Sequence, residues 1–407
     1  MTTVEANLAD LDFWDSSREH QDEVFARLRA ERRPVRCPTP DGVGFYVLTR
    51  HADIEEVSRN PSVFSSEPVS TSLDDLPEEV REFSGSIISL DAPRHTRLRR
   101  IVARAFTPRM VGELKQEIAA IARGIVDDLE QKGPCDFVAA VAAPMPLRLI
   151  SRILGIPAEL EQDMHAHTDA ILASGDPDYT GPSGEDRGQV LVRKYTALQA
   201  MMEELAAERR ARPAEDLITR LITANVDGEC LTVQELGKFF RLLVVAGVET
   251  TRNSLAHALA LLSEHPAQRE LLLSGLADRL PGAVEEIVRY ETPTRWMRRT
   301  VTERVAQHPD IPYRPGERVV MFYHSGNRDE SVFPDADTFD ITRDPNPHIG
   351  FGATGPHFCL GAHLARVEIA VLLEELLTRL PDIHVNGPGE RQRSSFVNGF
   401  KTLPCAF

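Results

Sequence analysis

From Phe239 to Val248 the chain reads FFRLLVVAGV, apolar nearly all round a helical wheel, so a helix here is expected to be buried on every side. Thr232-Val233-Gln234-Glu235 has capping-box spacing and opens that helix, which is expected to run to Ser263, ahead of Glu264-His265-Pro266. At about 1.5 Å per residue it spans roughly 45 Å, enough to cross a whole domain. Ala246-Gly247-Val248-Glu249-Thr250-Thr251 puts one acid and two hydroxyls in its middle. Buried there, they are costly unless they have partners or a role. A polar turn facing a neighbouring helix and a functional site both fit at this stage.

The pattern elsewhere is also mostly helical. Helices are expected over Phe13–Arg33 and His51–Arg59, and from near Pro93 to Thr107-Pro108. Met110 to Leu154 reads as two helices broken at Lys132-Gly133-Pro134, with Gly155-Ile156-Pro157 as a stop. Further helices are expected over Glu159–Ala173, Gln189–Arg210 and Ala283–Tyr290. Alternation and turn residues predict short strands at Val35–Cys37, Phe45–Leu48 and Val319–Tyr323, and strand pairing near Ser395–Pro404. Asn60 to Ser86 reads as irregular, and Ser174 to Gly184 as a breaker-rich loop.

The 407 residues are 42% hydrophobic, ample for a large core, and no linker-like run divides them, so one domain over 1–407 is expected. The net charge of −16 argues against general nucleic-acid binding. An acidic N-terminus without an apolar run, and no stretch long enough to span a bilayer, predict no membrane anchor and a cytoplasmic protein. Five scattered cysteines, Cys37, Cys135, Cys230, Cys359 and Cys405, suggest a reducing compartment and no disulfide framework.

The densest chemistry lies in FGATGPHFCLGAHLAR, Phe351 to Arg366. Gly352, Gly355 and Gly361 make a loop around Cys359, and a helix follows with apolar positions at Leu364, Val367, Leu372, Leu373, Leu376 and Leu377. A sulfur just ahead of a helix meets unpaired N–H groups and the positive end of the dipole, which favours thiolate. Thiolates serve as nucleophiles or as metal ligands. Closed zinc sites need several Cys or His ligands, and this loop has one thiol. Haem iron needs a single proximal ligand.

This stretch resembles the cysteine-ligand loop of the cytochrome P450 family, F-G-x-G-x-[HR]-x-C-x-G, with one extra residue: Phe351 stands eight before Cys359 instead of seven. Three more stretches resemble the family in the same order. HTRLRR matches the helix whose His95 and Arg99 would pair haem propionates, and AGVETT matches the distal oxygen-activation motif. Glu286-Ile287-Val288-Arg289 matches the structural E-x-x-R brace, for which Arg343 is a candidate third partner.

The resemblance implies a mainly α fold with a small β region, holding haem b between the long central helix and the cysteine loop. It implies Cys359 as iron ligand, with Arg299 and His357 as further propionate partners. Gly247 would leave room for dioxygen, Thr250 would bond the Ala246 carbonyl, open the helix there and donate a proton, and Glu249 would relay protons. Phe351, Gly352 and Gly361 would shape the loop under the haem. The reaction implied is hydroxylation of a small hydrophobic substrate by dioxygen.

No G-x-G-x-x-G nucleotide motif is visible, so electrons are expected from a ferredoxin and its ferredoxin reductase, and from NAD(P)H indirectly. Arg97 and Arg100, with the start of the helix after Cys359, form the expected docking patch. The scaffold is similar to actinobacterial members that oxidise sterols, branched fatty chains or terpenoids. Rival readings are a natural-product tailoring oxidase, a haem-binding sensor without turnover, and a cysteine hydrolase using Cys359 with His357.

Overall fold

The computed structural model describes residues 7–31, 34–78, 81, 85–103, 108–172, 187–225, 228–308 and 311–407. Its centre is the Val233–Glu264 helix. The capping box expected at Thr232 is formed: Glu235 N donates to Thr232 Oγ1 at 3.1 Å and Thr232 N donates to Glu235 Oε2 at 2.9 Å. From Leu255 to Leu262 every side chain of this helix is buried. Around it pack the helices Pro144–Leu154, Arg187–Ala211, Leu276–Glu291 and Ala362–Arg379, and this contact layer forms the main core. Each fully buried Leu, Ile or Phe there contributes about 1.5–3 kcal/mol relative to exposure.

The fold is mainly α with a small β region. Five strands make one sheet in the order β1 (Val35–Cys37), β2 (Phe45–Leu48), β6 (Arg318–Phe322), β5 (Trp296–Val301), β3 (Phe64–Ser65). Only β2 and β6 run parallel. Two smaller clusters of apolar side chains cover the two faces of this sheet. A second sheet joins β4 (Cys135–Asp136), β10 (Pro404–Ala406) and β7 (His384–Val385), and β8 (Glu390–Arg391) pairs with β9 (Phe400–Thr402). A bridge between Thr294 and Val397 brings the tail beside β5.

Several boundaries differ from those expected. The first helix is two, Leu11–Trp14 and Arg18–Ala30, because Ser17 takes an extended conformation and caps the second, accepting from His20 N. Short Leu217–Thr223, capped by Asp216, carried no strong periodic signal. A π-helical turn at Val138–Ala142 precedes Pro144–Leu154. Gly155, at φ +69°, ends that helix as expected. The anticipated Ser174–Gly184 loop and the Thr107 stop lie outside the described residues. Among the described residues, no helix is long and apolar enough to cross a membrane.

Candidate active site

One turn of the long helix opens onto a cavity. Ala246, Gly247, Thr250, Thr251 and Ser254 line it, and a Cβ on Gly247 would meet nothing within 4 Å. Thr250 Oγ1 donates to the Ala246 carbonyl at 2.8 Å, as its spacing suggests. Ser254 Oγ in turn donates to the Thr250 carbonyl at 2.9 Å. Glu249 points elsewhere and is not part of the lining. It is buried, and its carboxylate accepts from Arg252 Nη1 at 2.9 Å, Asn253 Nδ2 at 3.2 Å and Gln392 Nε2 at 2.7 Å.

Cys359 lies on the same cavity, which holds about 1540 Å³ of empty space, its mouth included. Its exposure is to this void, since the thiol is otherwise enclosed by protein. Cys359 N donates to the Phe351 carbonyl at 2.9 Å, which ties the two ends of the loop despite the extra residue. Gly352 sits at φ +85°, and a Cβ on Gly355 would lie 2.3 Å from the Ser58 carbonyl oxygen, so both positions need glycine. Gly361 caps the Ala362–Arg379 helix.

The helix end acts on Cys359 with the expected sign, against an opposing effect of burial. Burial pushes the Cys359 thiol up and outweighs the opposing backbone N–H of Gly361 and the charges of Arg99 and Arg366. A metal cation on the sulfur would supply what the helix end alone does not.

Between these two walls four cationic or basic side chains converge. His95 and Arg99 come from the Arg94–Ala103 helix, Arg299 from β5 and His357 from the cysteine loop, and all four line the cavity. The His95 and His357 rings are 4.2 Å apart. Arg299 is buried and donates to the Arg298 carbonyl at 2.8 Å, while Arg99 Nη2 donates to the Phe358 carbonyl at 2.5 Å. His357 Nε2 is 2.9 Å from Ser66 Oγ. Burial first, then Arg299, His95 and Arg99, push His357 down to about 2. His95 Nε2 is buried with no hydrogen-bond partner.

Among the described residues, none of the four forms an ion pair with a carboxylate. Such a cluster is uncompensated unless an anion joins it. A haem would fit these residues: the four side chains would hold its two carboxylates, Cys359 its iron, and the apolar wall its ring. Most of the remaining lining is apolar, with Leu149, Ile150, Ile153, Phe239, Leu242 and Leu243 prominent.

Phe351 lines the cavity as well, and the Arg366 guanidinium sits 4.2 Å over its ring. Behind the loop, Arg289 donates twice to Glu286, at 2.7 Å each, and to the carbonyls of Asn327 and Ala336. Arg343 reaches Glu286 at 3.3 Å and supplies the third member of the brace. Thr338 contributes only its carbonyl, which accepts from both arginines.

Arg97 departs from its expected role. It is committed to Glu235 at 2.7 Å and Glu229 at 3.1 Å, and Arg100 comes within 4.0 Å of the same Glu229, so neither cation of the expected docking patch stands open.

Sequence reasoning missed Ser66, Gln392 and Glu368. Glu368 is fully buried on the cavity wall, and burial pushes it up to about 8. An acid between Val367 and Ile369 on an otherwise apolar helix face was the available signal.

The comparisons agree with this geometry. A family model described as Cytochrome P450 matches residues 280–385. The methyl-branched lipid omega-hydroxylase of Mycobacterium tuberculosis is 41% identical over 413 residues, covering 99% of this chain and 95% of its own. A steroid C26-monooxygenase of Mycolicibacterium smegmatis is 36% identical, covering 97% of this chain and 92% of its own. The structure of Mycobacterium marinum cytochrome P450 CYP268A2 in complex with pseudoionone superposes with a TM-score of 0.92 at 39% identity, covering 100% of this chain and 99% of that one.

Proposed function

The chain belongs to the cytochrome P450 family as an actinobacterial-type monooxygenase with haem b as cofactor, and from that premise we propose that it hydroxylates a branched, apolar lipid, sterol or terpenoid chain. The observation that carries this reading is a single cavity in which the Cys359 sulfur, the Thr250 hydroxyl and a wall of aliphatic side chains meet. Among the described lining residues, Glu368 is the one carboxyl. A substrate without charge on the reacting part suits such a wall, since burying an unpaired charge is costly. The relatives' names, a hydroxylase of methyl-branched lipids and a steroid monooxygenase, point the same way.

Cys359 would hold the haem iron, and His95, Arg99, Arg299 and His357 would pair its carboxylates by charge-assisted hydrogen bonds. Phe351, held by Arg366, would pack beside it, with Gly352 and Gly361 shaping the backbone of the loop. When bound, the haem activates dioxygen and inserts one oxygen atom into a C–H bond, the other leaving as water. The chain's own residues bind, exclude water and move protons. Ala246 and Gly247 keep the wall low where a small ligand must fit. Thr250 Oγ1 holds the proton nearest the cavity; rotating off the Ala246 carbonyl aims it inward. Glu249 then restores that proton, and to do so it must turn away from Arg252 and Gln392 or pass the proton through water.

Electrons come from a ferredoxin with its reductase, and ultimately from NAD(P)H, in this reading. Phe358, 39% exposed beside Cys359, marks the face such a partner would meet.

The testing experiment is an optical titration of the ferric protein with methyl-branched fatty lipids, sterols, isoprenoid ketones and linear fatty acids, followed by product analysis with ferredoxin, reductase and NAD(P)H. A low-to-high-spin shift with a branched or sterol class, and a product carrying one added oxygen, support the reading. No shift with any of these classes, but a shift with polyketides titrated in the same way, would instead make it a tailoring oxidase. Binding without any product would make it a sensor.

A further inference from the structure

The five cysteines are free, yet two that stand far apart in the sequence meet in the fold. Cys135 on β4 and Cys405 on β10 are direct register partners in an antiparallel pair. Their side chains therefore leave the sheet on the same face, one beside the other. Antiparallel partners are about 4.5–5.5 Å apart at Cα, inside the span of about 4.4–6.8 Å that a disulfide bridges. β4 is two residues long and lies at the edge of its sheet, so little backbone resists a small closure.

We propose that Cys135 and Cys405 are a redox-active thiol pair that closes to an intramolecular disulfide when the protein meets a peroxide. The two positions differ in access. Cys135 is half-buried, whereas Cys405 is buried. Burial first, and then the neighbouring Cys135, push the Cys405 thiol up to about 12, so Cys405 is the sluggish member and Cys135 the one that reacts first.

The chemistry balances with hydrogen peroxide as oxidant. Cys135 Sγ attacks one oxygen, the O–O bond breaks, and water leaves behind a sulfenic acid. Cys405 Sγ then attacks Cys135 Sγ, the S–O bond breaks, and a second water carries off the remaining thiol proton. Two thiols lose two electrons, and one peroxide becomes two waters. Proximity compensates for the poor nucleophilicity of Cys405, because its partner is fixed opposite it.

The cross-link would staple the last strand to the segment leading into the Val138–Ala142 turn and the cavity-lining Pro144–Leu154 helix. It closes a covalent loop containing every element between them, including the long central helix and the cysteine loop. Such a loop restricts the unfolded chain and ties down the three-residue strand β10.

The test uses the haem-loaded full chain, treated with near-stoichiometric hydrogen peroxide, denatured, alkylated without reductant and mapped by peptide mass. The expected result is one peptide pair linking Cys135 to Cys405, lost on reduction, with a higher thermal midpoint in the oxidised protein. Cys405→Ala and Cys135→Ser should each remove both the linked peptide and the thermal shift. Recovery of both cysteines as alkylated thiols would overturn the proposal. So would over-oxidation of Cys135, or linkage of Cys135 to any other cysteine. The peptide map of the unmutated chain alone decides the point if either variant fails to fold.

Discussion

Glu249 Oε2 accepts a 2.9 Å hydrogen bond from Arg252 Nη1, and both side chains are buried one helical turn apart. The acid that the sequence assigns to proton relay is thus held by a guanidinium on its own helix and by Gln392 from the tail, outside the cavity that Thr250 lines. A relay through Glu249 must loosen these bonds. Replacing it by Gln keeps the volume and removes the exchangeable acid. Glu249→Gln should lower product turnover about 100-fold, in line with the contribution of a positioned acid–base group, with little change in substrate KM. The solvent isotope effect on turnover should rise. Turnover and isotope effect matching the unmutated enzyme would remove Glu249 from the proton path.

Among the described residues, the hydrogen-bond partner of Thr250 Oγ1 is the Ala246 carbonyl, at 2.8 Å. Thr250→Val preserves shape and deletes the hydroxyl. Reducing equivalents should then drain into hydrogen peroxide, and the yield of product per NAD(P)H should fall about tenfold. Thr251 is buried, and the motif match gives the donor role to Thr250 instead, so Thr251→Val should stay close to the unmutated coupling. Assaying peroxide and product together in both variants checks this; equal coupling in the two would separate Thr250 from proton donation.

What was legible in the sequence was mostly local. The capping box at Thr232 and Glu235, the Thr250–Ala246 bond and the Glu286–Arg289 pair lie within one helical turn, so spacing alone places them. Arg252 and Asn253, three and four residues after Glu249, were equally readable as its partners. The split of the first helix turned on one capping serine, Ser17, against a continuous amphipathic pattern. Ser66 beside His357, Gln392 beside Glu249 and Cys405 opposite Cys135 join segments far apart in the chain. No periodicity encodes such meetings. The pull of the helix end on Cys359 was read with the right sign, but the burial opposing it depends on the assembled cavity.

Glu286 is fully buried and accepts from Arg289 twice, from Asp340 N at 2.9 Å, from Asn346 Nδ2 at 3.1 Å and from Arg343. Glu286→Gln turns one acceptor into a donor facing other donors and leaves Arg289 without its counter-charge. Breaking a buried pair on one side costs about 3–5 kcal/mol, which should appear as a lower urea midpoint and a reduced haem-to-protein ratio. Arg343→Leu should cost less, because both Arg289 bonds to Glu286 survive. Equal losses in the two variants would show that Arg343, not Arg289, carries the brace.

His324 gives the fold a built-in sensitivity to acid. Its ring is buried between Trp14, Phe25 and Phe322, and Nδ1 lies 3.3 Å from the Arg295 carbonyl while Nε2 has no partner. Burial first, then the charges of Arg295, Arg29 and Arg328, push its pKa down to about 3, from 6.5 for an ordinary histidine. The unfolded chain therefore takes up a proton near pH 6.5 that the folded chain refuses until about pH 3. Stability from this group is complete above pH 6.5 and is lost as the pH falls towards 3, at about 1.4 kcal/mol per pH unit. His324→Phe keeps the aromatic packing, removes the unpartnered nitrogen and abolishes the proton uptake. Thermal midpoints followed by far-ultraviolet dichroism from pH 8 to pH 4 should fall steeply for the unmutated protein and less steeply for the variant. Parallel curves would assign the acid loss to another buried histidine, His357 or His257, pushed down to about 2 and about 4 chiefly by burial.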